Sequence, residues 1–228
     1  MNEVVLVTGG NRGLGKAFVE EALARGARKV YAAARDPRSV STPGAVPLAL
    51  DVTDPESVRR AAAEAPDVTV LINNAGITTD SSLLHGDLDD IRREFETNFF
   101  GTINVTRAFA PVLAANGGGH VLDVHSVLSW ISQGTSYSST KAAVWQATNA
   151  FRIELAAQGT KVTGLHVGYI DTDMTRGIDA PKTSPQDVAR QALDGIEAGA
   201  FEVLADELTR TVKRGLSADP AALYPQLV

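Results

Sequence analysis

The stretch VVLVTGGNRGLGKAF, residues 4–18, decides the fold. The apolar run VVLV indicates a buried strand, and Gly9, Gly13 and Gly15 follow with the spacing G-x3-G-x-G before a helical pattern begins. Glycines between a strand and a helix let the main chain approach a pyrophosphate, and the helix N-terminus presents free N–H groups to it. The same residues would also suit an ordinary strand-to-helix turn, so the interpretation depends on the rest of the chain.

Short apolar runs alternate with longer amphipathic segments along the chain. The predicted strands are residues 4–7, 29–34, 46–50, 68–73, 120–125, 161–167 and 201–205. The predicted helices lie near residues 14–25, 54–65, 87–115, 136–157 and 185–198. Strands that alternate with helices form βαβ units, so we expect one doubly wound α/β domain over residues 1–228, with a parallel sheet of about seven strands and helices on both faces. In such a sheet, ligands bind beyond the carboxyl ends of the strands, where the strand order reverses.

Composition narrows the classes of partner. The formal charge of −6 leaves no basic excess for nucleic acid or for an anionic membrane. The chain has no Cys for a disulfide or a thiolate metal site, and its four His show no metal-ligand spacing. There is no signal-peptide pattern, and no apolar run approaches the roughly 18 residues of a membrane helix. We therefore expect a cytoplasmic protein with no metal and no membrane partner.

Polar residues follow the third and fourth predicted strands. Asp51 and Val52 could bind an adenine ring through a carboxylate and a main-chain amide, although a helix-capping Asp would look the same. Asn73 and Asn74 belong to the motif NNAG, residues 73–76, which could be a simple turn. The two Asn could otherwise contact a cofactor or brace the central sheet.

Asn98 lies within the helical pattern of residues 87–115, although Asn is a poor residue for a helix interior. Phe95, Phe99 and Phe100 surround it, so its amide is expected near a buried face. A buried amide needs hydrogen-bond partners, which predicts a structured hydrogen bond or a bound water here.

The segment SVLSWISQGTSYSSTK, residues 126–141, follows the fifth strand, which is predicted to end at His125. Tyr137 and Lys141 are four residues apart and therefore share a helix face. A Tyr that exchanges protons near pH 7–8 must have a pKa below the reference value of about 10. The difference corresponds to a stabilisation of the tyrosinate by about 3–4 kcal/mol. A cation about 4 Å away, at an effective dielectric constant near 20, supplies about 4 kcal/mol. Alone, this spacing would fit a surface pair, but beside the glycine turn it predicts an acid–base site.

These motifs, in this order, resemble those of the short-chain dehydrogenase/reductase family over essentially the whole chain. The matching motifs are TGGNRGLG at 8–15, DV at 51–52, NNAG at 73–76, Asn98, Ser126, YSSTK at 137–141 and VGYIDT at 167–172. The resemblance implies a Rossmann-type fold and a catalytic tetrad of Asn98, Ser126, Tyr137 and Lys141. In the family, the Tyr protonates the substrate carbonyl oxygen while a nicotinamide delivers hydride, and the Ser bonds the same oxygen. The Lys lowers the pKa of the Tyr and binds the ribose, and the Asn holds a water on the proton path.

The resemblance also implies a cofactor site. The residues predicted to bind the cofactor are Gly9, Asn11, Arg12, Gly13, Leu14, Gly15, Arg35, Asp51, Val52, Asn74, Ala75, Gly76, Tyr137, Lys141, Gly168, Ile170 and Thr172. Thr172 would contact the nicotinamide carboxamide. NADP(H) is expected, because in the family the acid that selects NAD aligns with Ala34 rather than Asp36, and Arg35 aligns with the basic residue of NADP-preferring members. Arg12 would add a second cation, unless both Arg are only solvated surface charges.

Three features depart from the family pattern. The gap between Ser126 and Tyr137 is about two residues shorter than usual, so Ser129 remains an alternative oxygen donor. Val167 stands where the family usually has Pro, which could alter the loop over the nicotinamide. The segment 175–185 is short for a substrate lid and predicts an open pocket with broad carbonyl specificity.

The predicted function is the reversible, NADPH-dependent reduction of ketones and aldehydes to alcohols. Candidate pocket residues are Leu128, Trp130 and Tyr169, which could equally pack under a loop. The alternative is a catalytically idle relative that binds NADP(H) as a sensor or scaffold. A sugar-nucleotide epimerase is disfavoured, because no second substrate domain follows residue 200. Apolar residues on more than one face of the helices 87–115 and 136–157 predict a homodimer or homotetramer.

Overall fold

The computed structural model describes residues 2–224. Seven strands form one sheet in the order β3-β2-β1-β4-β5-β6-β7, and every neighbouring pair is parallel. The strands are β1 Val4–Thr8, β2 Lys29–Ala34, β3 Val46–Ala49, β4 Val70–Asn73, β5 His120–Val124, β6 Lys161–His166 and β7 Glu202–Leu204. The order reverses between β1 and β4, so the predicted doubly wound parallel sheet is confirmed, with its switch point directly beyond the glycine turn.

Helices occupy all five predicted segments, although the segment near 87–115 contains two of them, and two short helices beyond residue 206 were not predicted. They are α1 Gly13–Ala24, α2 Pro55–Glu64, α3 Leu88–Glu94, α4 Gly101–Ala115, α5 Ser136–Glu154, α6 Pro185–Ala198, α7 Glu207–Gly215 and α8 Pro220–Leu223. The predicted end of the fifth strand at His125 is wrong by one residue, since β5 ends at Val124. The His125 N–H still donates to the Leu165 carbonyl, so the main chain stays beside β6 past the end of the strand.

The sheet separates two apolar cores, and alternate residues of β1 point into each. Val5 and Val7 pack with buried residues of α1 and α6 on one face. Val4 and Leu6 pack with buried residues of α2, α4 and α5 on the other. Burial on both faces explains why these strands are continuous apolar runs rather than alternating ones. The helices on both faces thereby fix the carboxyl edge of the sheet, where the candidate residues lie.

Within residues 2–224, no helix is both long and apolar enough to cross a lipid bilayer.

Candidate functional site

The glycine turn has the main-chain conformation that its sequence predicts. Gly9 and Gly13 have φ of 65° and 52°, in the left-handed region that favours glycine. A Cβ on Gly15 would lie 2.0 Å from the Gly9 carbonyl oxygen, so only glycine lets α1 start this close to the turn. No side chain caps the N-terminus of α1, whereas Asp54, Asp87 and Ser184 cap α2, α3 and α6. The first amides of α1 therefore remain available to an anionic ligand, which is what a pyrophosphate requires.

The loop after β4 is tied to this turn. The Asn74 side chain donates to the Thr8 carbonyl at 2.8 Å, and the N–H groups of Asn74 and Ala75 donate to the Thr8 hydroxyl at 2.9 and 3.0 Å. Asn73 instead braces the sheet, because its amide donates to Thr106 and to Asp123 at 2.9 and 2.8 Å. Asn74 thus ties the β4 loop to the glycine turn, and its contact with a cofactor stays a prediction, while Asn73 has the bracing role that the sequence left open.

Asp51 and Val52 have mainly local contacts. One carboxylate oxygen of Asp51 accepts from the N–H and hydroxyl of Thr53 at 3.0 and 2.7 Å. Asp51 is not the helix cap that the sequence left open, since Asp54 caps α2. Val52 is buried and lies close to Gly101. A Cβ on Gly101 would lie only 2.7 Å from the Val52 Cγ2. The structure places both residues at the carboxyl end of β3, at the edge of the predicted adenine pocket.

The two predicted phosphate-binding arginines lie on adjacent segments. The Gly10 N–H donates to the Ala33 carbonyl at 2.9 Å, and the Asn11 amide donates to the Ser39 hydroxyl at 3.1 Å, so the glycine turn runs beside the end of β2. Arg12 and Arg35 are both exposed on these segments. The Asp36 carboxylate is paired with Arg38, whose guanidinium donates to both of its oxygens at 2.9 and 3.1 Å. This supports the prediction that Asp36 is not the acid of an NAD site.

Asn98 lies in a helical irregularity that the sequence did not predict. A π-helical segment, Phe95–Phe100, joins α3 to α4, and such widened turns are frequent at functional sites. The buried Asn98 amide donates to the Ile77 carbonyl and the Thr140 hydroxyl at 2.9 and 3.0 Å, and its oxygen accepts from the Ile77 N–H at 2.9 Å. The structured hydrogen bonds predicted for this amide are confirmed, and they fasten the β4–α3 loop to α5.

Both candidate Ser residues belong to one short turn after β5. The Ser126 hydroxyl accepts from the Leu128 N–H at 3.1 Å, and the Ser129 hydroxyl accepts from the Ser126 N–H at 3.4 Å. Both are buried, and α5 packs against the turn. Ser126 lies two residues after the end of β5, whereas Ser129 faces back onto the Ser126 main chain. The position of Ser126 therefore favours it as the oxygen donor.

Tyr137 and Lys141 lie one turn apart near the start of α5. The Lys141 Nζ is 5.6 Å from the centroid of the Tyr137 ring and donates to the Val124 carbonyl at 2.8 Å. A Cβ on Gly76 would lie 3.2 Å from the Asn98 Oδ1 and 3.9 Å from this Nζ. The β4 loop, the π-helical segment and α5 therefore meet at one point, as the resemblance implies.

The pKa values of this pair differ from the prediction. Burial lowers the pKa of Lys141 to about 8, although the charge of Asp123 acts in the opposite direction. Burial and the negative charge of Glu94 raise the pKa of Tyr137 above its ordinary value. The predicted lowering of the Tyr137 pKa by Lys141 is not found. The Lys141 ammonium is directed at the Val124 carbonyl and is itself poorly solvated. In this state the phenol keeps its proton at neutral pH.

Two buried acids beside this pair were missed by the sequence analysis. Asp123 is fully buried within β5 and accepts from the Thr148 hydroxyl at 2.6 Å, which in turn contacts the His125 ring at 3.2 Å. Glu94 is fully buried on α3. Two features of the sequence could have indicated these acids. Asp123 lies inside the apolar run VLDV, and Glu94 lies four residues before Asn98, on the same helix face.

The candidate pocket residues mainly pack against the protein. Trp130 stacks on His166 with ring centroids 4.0 Å apart, and the Lys213 ammonium lies 4.7 Å from the Trp130 centroid. The Tyr169 hydroxyl accepts from the Gln133 amide at 3.0 Å, and Leu128 is half-buried. Trp130 thus has the packing role that the sequence left open.

The segment after β6 lies beside the glycine turn. The Gly168 N–H donates to the Asp206 carboxylate, and Ile170 forms a bridge with Thr183. A Cβ on Gly13 would lie 3.5 Å from the Thr172 Cγ2, so this segment reaches the glycine turn. Val167, in place of the family's usual Pro, is buried in the core, and its carbonyl accepts from the Val127 N–H at 2.9 Å.

Comparison with known proteins agrees with this geometry. A family model described as short chain dehydrogenase matches residues 3–183. The chain belongs to the short-chain dehydrogenase family. An oxidoreductase, BOA17, of Botryotinia fuckeliana is 33% identical over 186 residues, covering 76% of this chain and 68% of the relative. The 3-oxoacyl-[acyl-carrier-protein] reductase FabG of Escherichia coli is 30% identical over 187 residues, covering 77% of each.

A solved structure of another short-chain dehydrogenase, from Burkholderia cenocepacia in complex with NADP, is 40% identical to this chain. Its TM-score is 0.94, and the match covers 100% of this chain and 98% of the other. Membership of the family and the oxidoreductase class of this short-chain dehydrogenase are therefore established.

Proposed function

We propose that this short-chain dehydrogenase is a single-domain, NADPH-dependent reductase of ketone and aldehyde carbonyls. The observation that carries the proposal is the convergence of Tyr137, Lys141 and Asn98 beside Gly76, at the same carboxyl edge of the sheet as the glycine turn. A phenol with its proton, a hydroxyl and an ammonium at the switch point of a parallel sheet suit proton transfer to a carbonyl oxygen.

The chain's own groups perform the proton chemistry. When bound, the reduced nicotinamide supplies the hydride for the carbonyl carbon. Tyr137 gives its proton to the carbonyl oxygen, and the Ser126 hydroxyl donates a hydrogen bond to the same oxygen. Lys141 holds the cofactor ribose, and Asn98 fastens the loop that covers it. Burial and the charge of Glu94 raise the pKa of Tyr137, so the phenol carries the proton that reduction requires.

NADP(H) is the cofactor that the cleft fits best. The uncapped N-terminus of α1 suits the pyrophosphate, and the exposed Arg12 and Arg35 would bind the additional phosphate. The Burkholderia cenocepacia structure in complex with NADP shares 40% of its residues with this chain, which supports the same choice here.

Consumption of NADPH, followed at its near-ultraviolet absorbance, tests this function. The panel should contain aliphatic and aromatic ketones, aldehydes and a 3-oxoacyl thioester, the substrate class in the name of the FabG relative. We expect turnover of several panel members, since the segment 175–185 is a short lid. If NADPH binds but no panel member is reduced, the catalytically idle sensor or scaffold would replace the reductase.

We also propose that the protein forms a homodimer or homotetramer. Ile153 on α5 is 79% exposed, and a groove beside α4 and α5 is lined by apolar and polar residues in equal number: Ala110, Pro111, Phe151, Leu155, Thr106, Arg107, Glu154 and Gln158. Apolar surface on helices that already cover the sheet is expected to be buried against a second copy. Light scattering at micromolar concentration should give two or four times the chain mass of 24.0 kDa. A monomeric mass would contradict this proposal.

A further inference from the structure

Three aromatic rings and an ammonium form a column beside the turn 126–130. The Trp130 ring stacks on the His166 ring with centroids 4.0 Å apart, and the His125 ring stacks on the same His166 ring at 4.6 Å. The Lys213 ammonium lies 4.7 Å from the Trp130 centroid. The column therefore runs from α7, which carries Lys213, to the residue that follows β5.

The inner part of the column contacts the main chain around Ser126. His125 directly precedes Ser126, and Trp130 closes the turn, with its N–H donating to the Val127 carbonyl at 3.1 Å. The Nδ1 of His166 lies 3.4 Å from the Ser126 carbonyl oxygen. Burial lowers the pKa of His166 to about 4, so its ring is neutral near pH 7. One buried ring of β6 thus contacts Ser126 and both flanks of its turn.

The same turn orients the Ser126 hydroxyl. Its oxygen accepts from the Leu128 N–H at 3.1 Å, and the Ser126 carbonyl accepts from the Ser129 N–H at 2.9 Å. A hydroxyl that accepts one hydrogen bond can still donate its hydrogen, here to a substrate oxygen. The direction of that donation depends on how firmly the turn is held.

The outer end of the column is held by charge. The Lys213 ammonium donates to one carboxylate oxygen of Glu202 at 3.0 Å and lies 2.8 Å from the other. The same ammonium lies 5.9 Å from the centroid of Trp145 on α5, so it contacts two indole rings. The Lys213 side chain is only 32% exposed. A partly desolvated cation over an indole binds more strongly than an exposed surface pair.

We propose that Lys213 is a positioning residue that acts through Trp130 and holds the turn 126–130 where the Ser126 hydroxyl reaches the substrate carbonyl oxygen. This inference rests on the proposed reductase function and on Ser126 as the oxygen donor. Lys213 contacts the indole rings and Glu202, so it acts on the reaction only through the turn. α7 also contacts this turn, which makes the helix an external brace for the site.

Four variants isolate the ammonium. Lys213→Met removes the charge and keeps an unbranched side chain, whereas Lys213→Arg keeps a cation that can stack on an indole and pair with Glu202. Lys213→Met/Glu202→Gln avoids leaving that carboxylate without its partner. Arg214→Met is the matched control, because Arg214 follows Lys213 on α7 but is 67% exposed and pairs with Glu207. Circular dichroism should verify each fold.

A double-mutant cycle with Ser126→Ala gives the kinetic test. Lys213→Met should lower kcat for carbonyl reduction about tenfold with little change in KM for NADPH, because a displaced oxygen donor is lost mainly in the transition state. Lys213→Arg should restore most of the activity, and Arg214→Met should retain it. Ser126→Ala should lower kcat by about 10²-fold. In that background Lys213→Met should cause no further loss, because the hydroxyl through which it acts is gone.

Amide hydrogen exchange of the turn gives a test that requires no turnover. Mass spectrometry of a peptide that contains residues 126–130 should show exchange about five- to tenfold faster in Lys213→Met, since the turn opens more often without its brace. Lys213→Met/Glu202→Gln should show the same increase. Lys213→Arg should restore slow exchange, and peptides from α1 should exchange equally in all variants.

The outcomes separate this inference from the proposed function. An unchanged kcat or an unchanged exchange rate of the turn in Lys213→Met would overturn the inference. Equal losses from Lys213→Met in the parent and in Ser126→Ala would also overturn it, since the residue would then act by another route. Faster exchange of the turn in a protein that reduces no carbonyl would leave the brace in place and count against the reductase function.

Discussion

Tyr137→Phe should reduce turnover by about 10²–10⁴-fold while leaving the affinity for NADPH nearly unchanged, which is the usual cost of losing a general acid. The substitution removes only the phenolic hydroxyl and leaves the ring beside Lys141. Steady-state kinetics with the best substrate of the panel would measure the loss in kcat. Quenching of Trp fluorescence by NADPH would measure the dissociation constant.

Two further variants make this result specific. Lys141→Ala should weaken both turnover and NADPH binding, because the ammonium is expected to serve the ribose as well as the proton path. Tyr31→Phe is a matched control, since the Tyr31 hydroxyl donates to Asp67 at 2.9 Å. Tyr31 lies in the amino-terminal half of β2, away from the carboxyl edge of the sheet that carries Tyr137. A Tyr137→Phe enzyme that retains most of its activity would exclude the phenol as the proton donor.

The elements that local sequence determines were predicted well. The glycine turn depends on residues a few positions apart, so its chemistry is visible in the chain itself. The parallel sheet followed from the alternation of strands and helices, and the observed strand order places its switch point between β1 and β4. The predicted site residues could therefore be placed along one edge of a sheet before any contact was known.

The features that tertiary packing determines were not predictable in the same way. The π-helical segment Phe95–Phe100 widens a helix whose apolar pattern is continuous with α3 and α4, so periodicity alone gives no sign of it. Likewise, the pKa of Tyr137 depends on burial and on Glu94, which is 43 residues away in sequence. A helix-spacing argument considered only Lys141 and therefore gave the wrong direction.

The second large effect concerns the choice of cofactor. Each hydrogen bond between an Arg and a phosphate is worth about 1.5–3 kcal/mol, so two such bonds would favour NADPH over NADH by roughly 10²–10⁴-fold. Arg12 and Arg35 are exposed, and screening by salt should bring the preference toward the lower value. The ratio of kcat/KM for NADPH and NADH in the parent protein measures it directly.

Arg35→Ala should reduce this preference by about tenfold or more, mainly by weakening the binding of NADPH. NADH binding should change little, because its ribose carries no phosphate for the guanidinium to bind. Arg59→Ala is a suitable control, since Arg59 is exposed on α2 and pairs with Glu56 rather than with the glycine turn. Asp36 should not take over as an NAD-selecting acid in either variant, because Arg38 holds both of its carboxylate oxygens. A parent enzyme that uses both cofactors equally, or an Arg35→Ala variant with an unchanged ratio, would show that these arginines do not bind the phosphate.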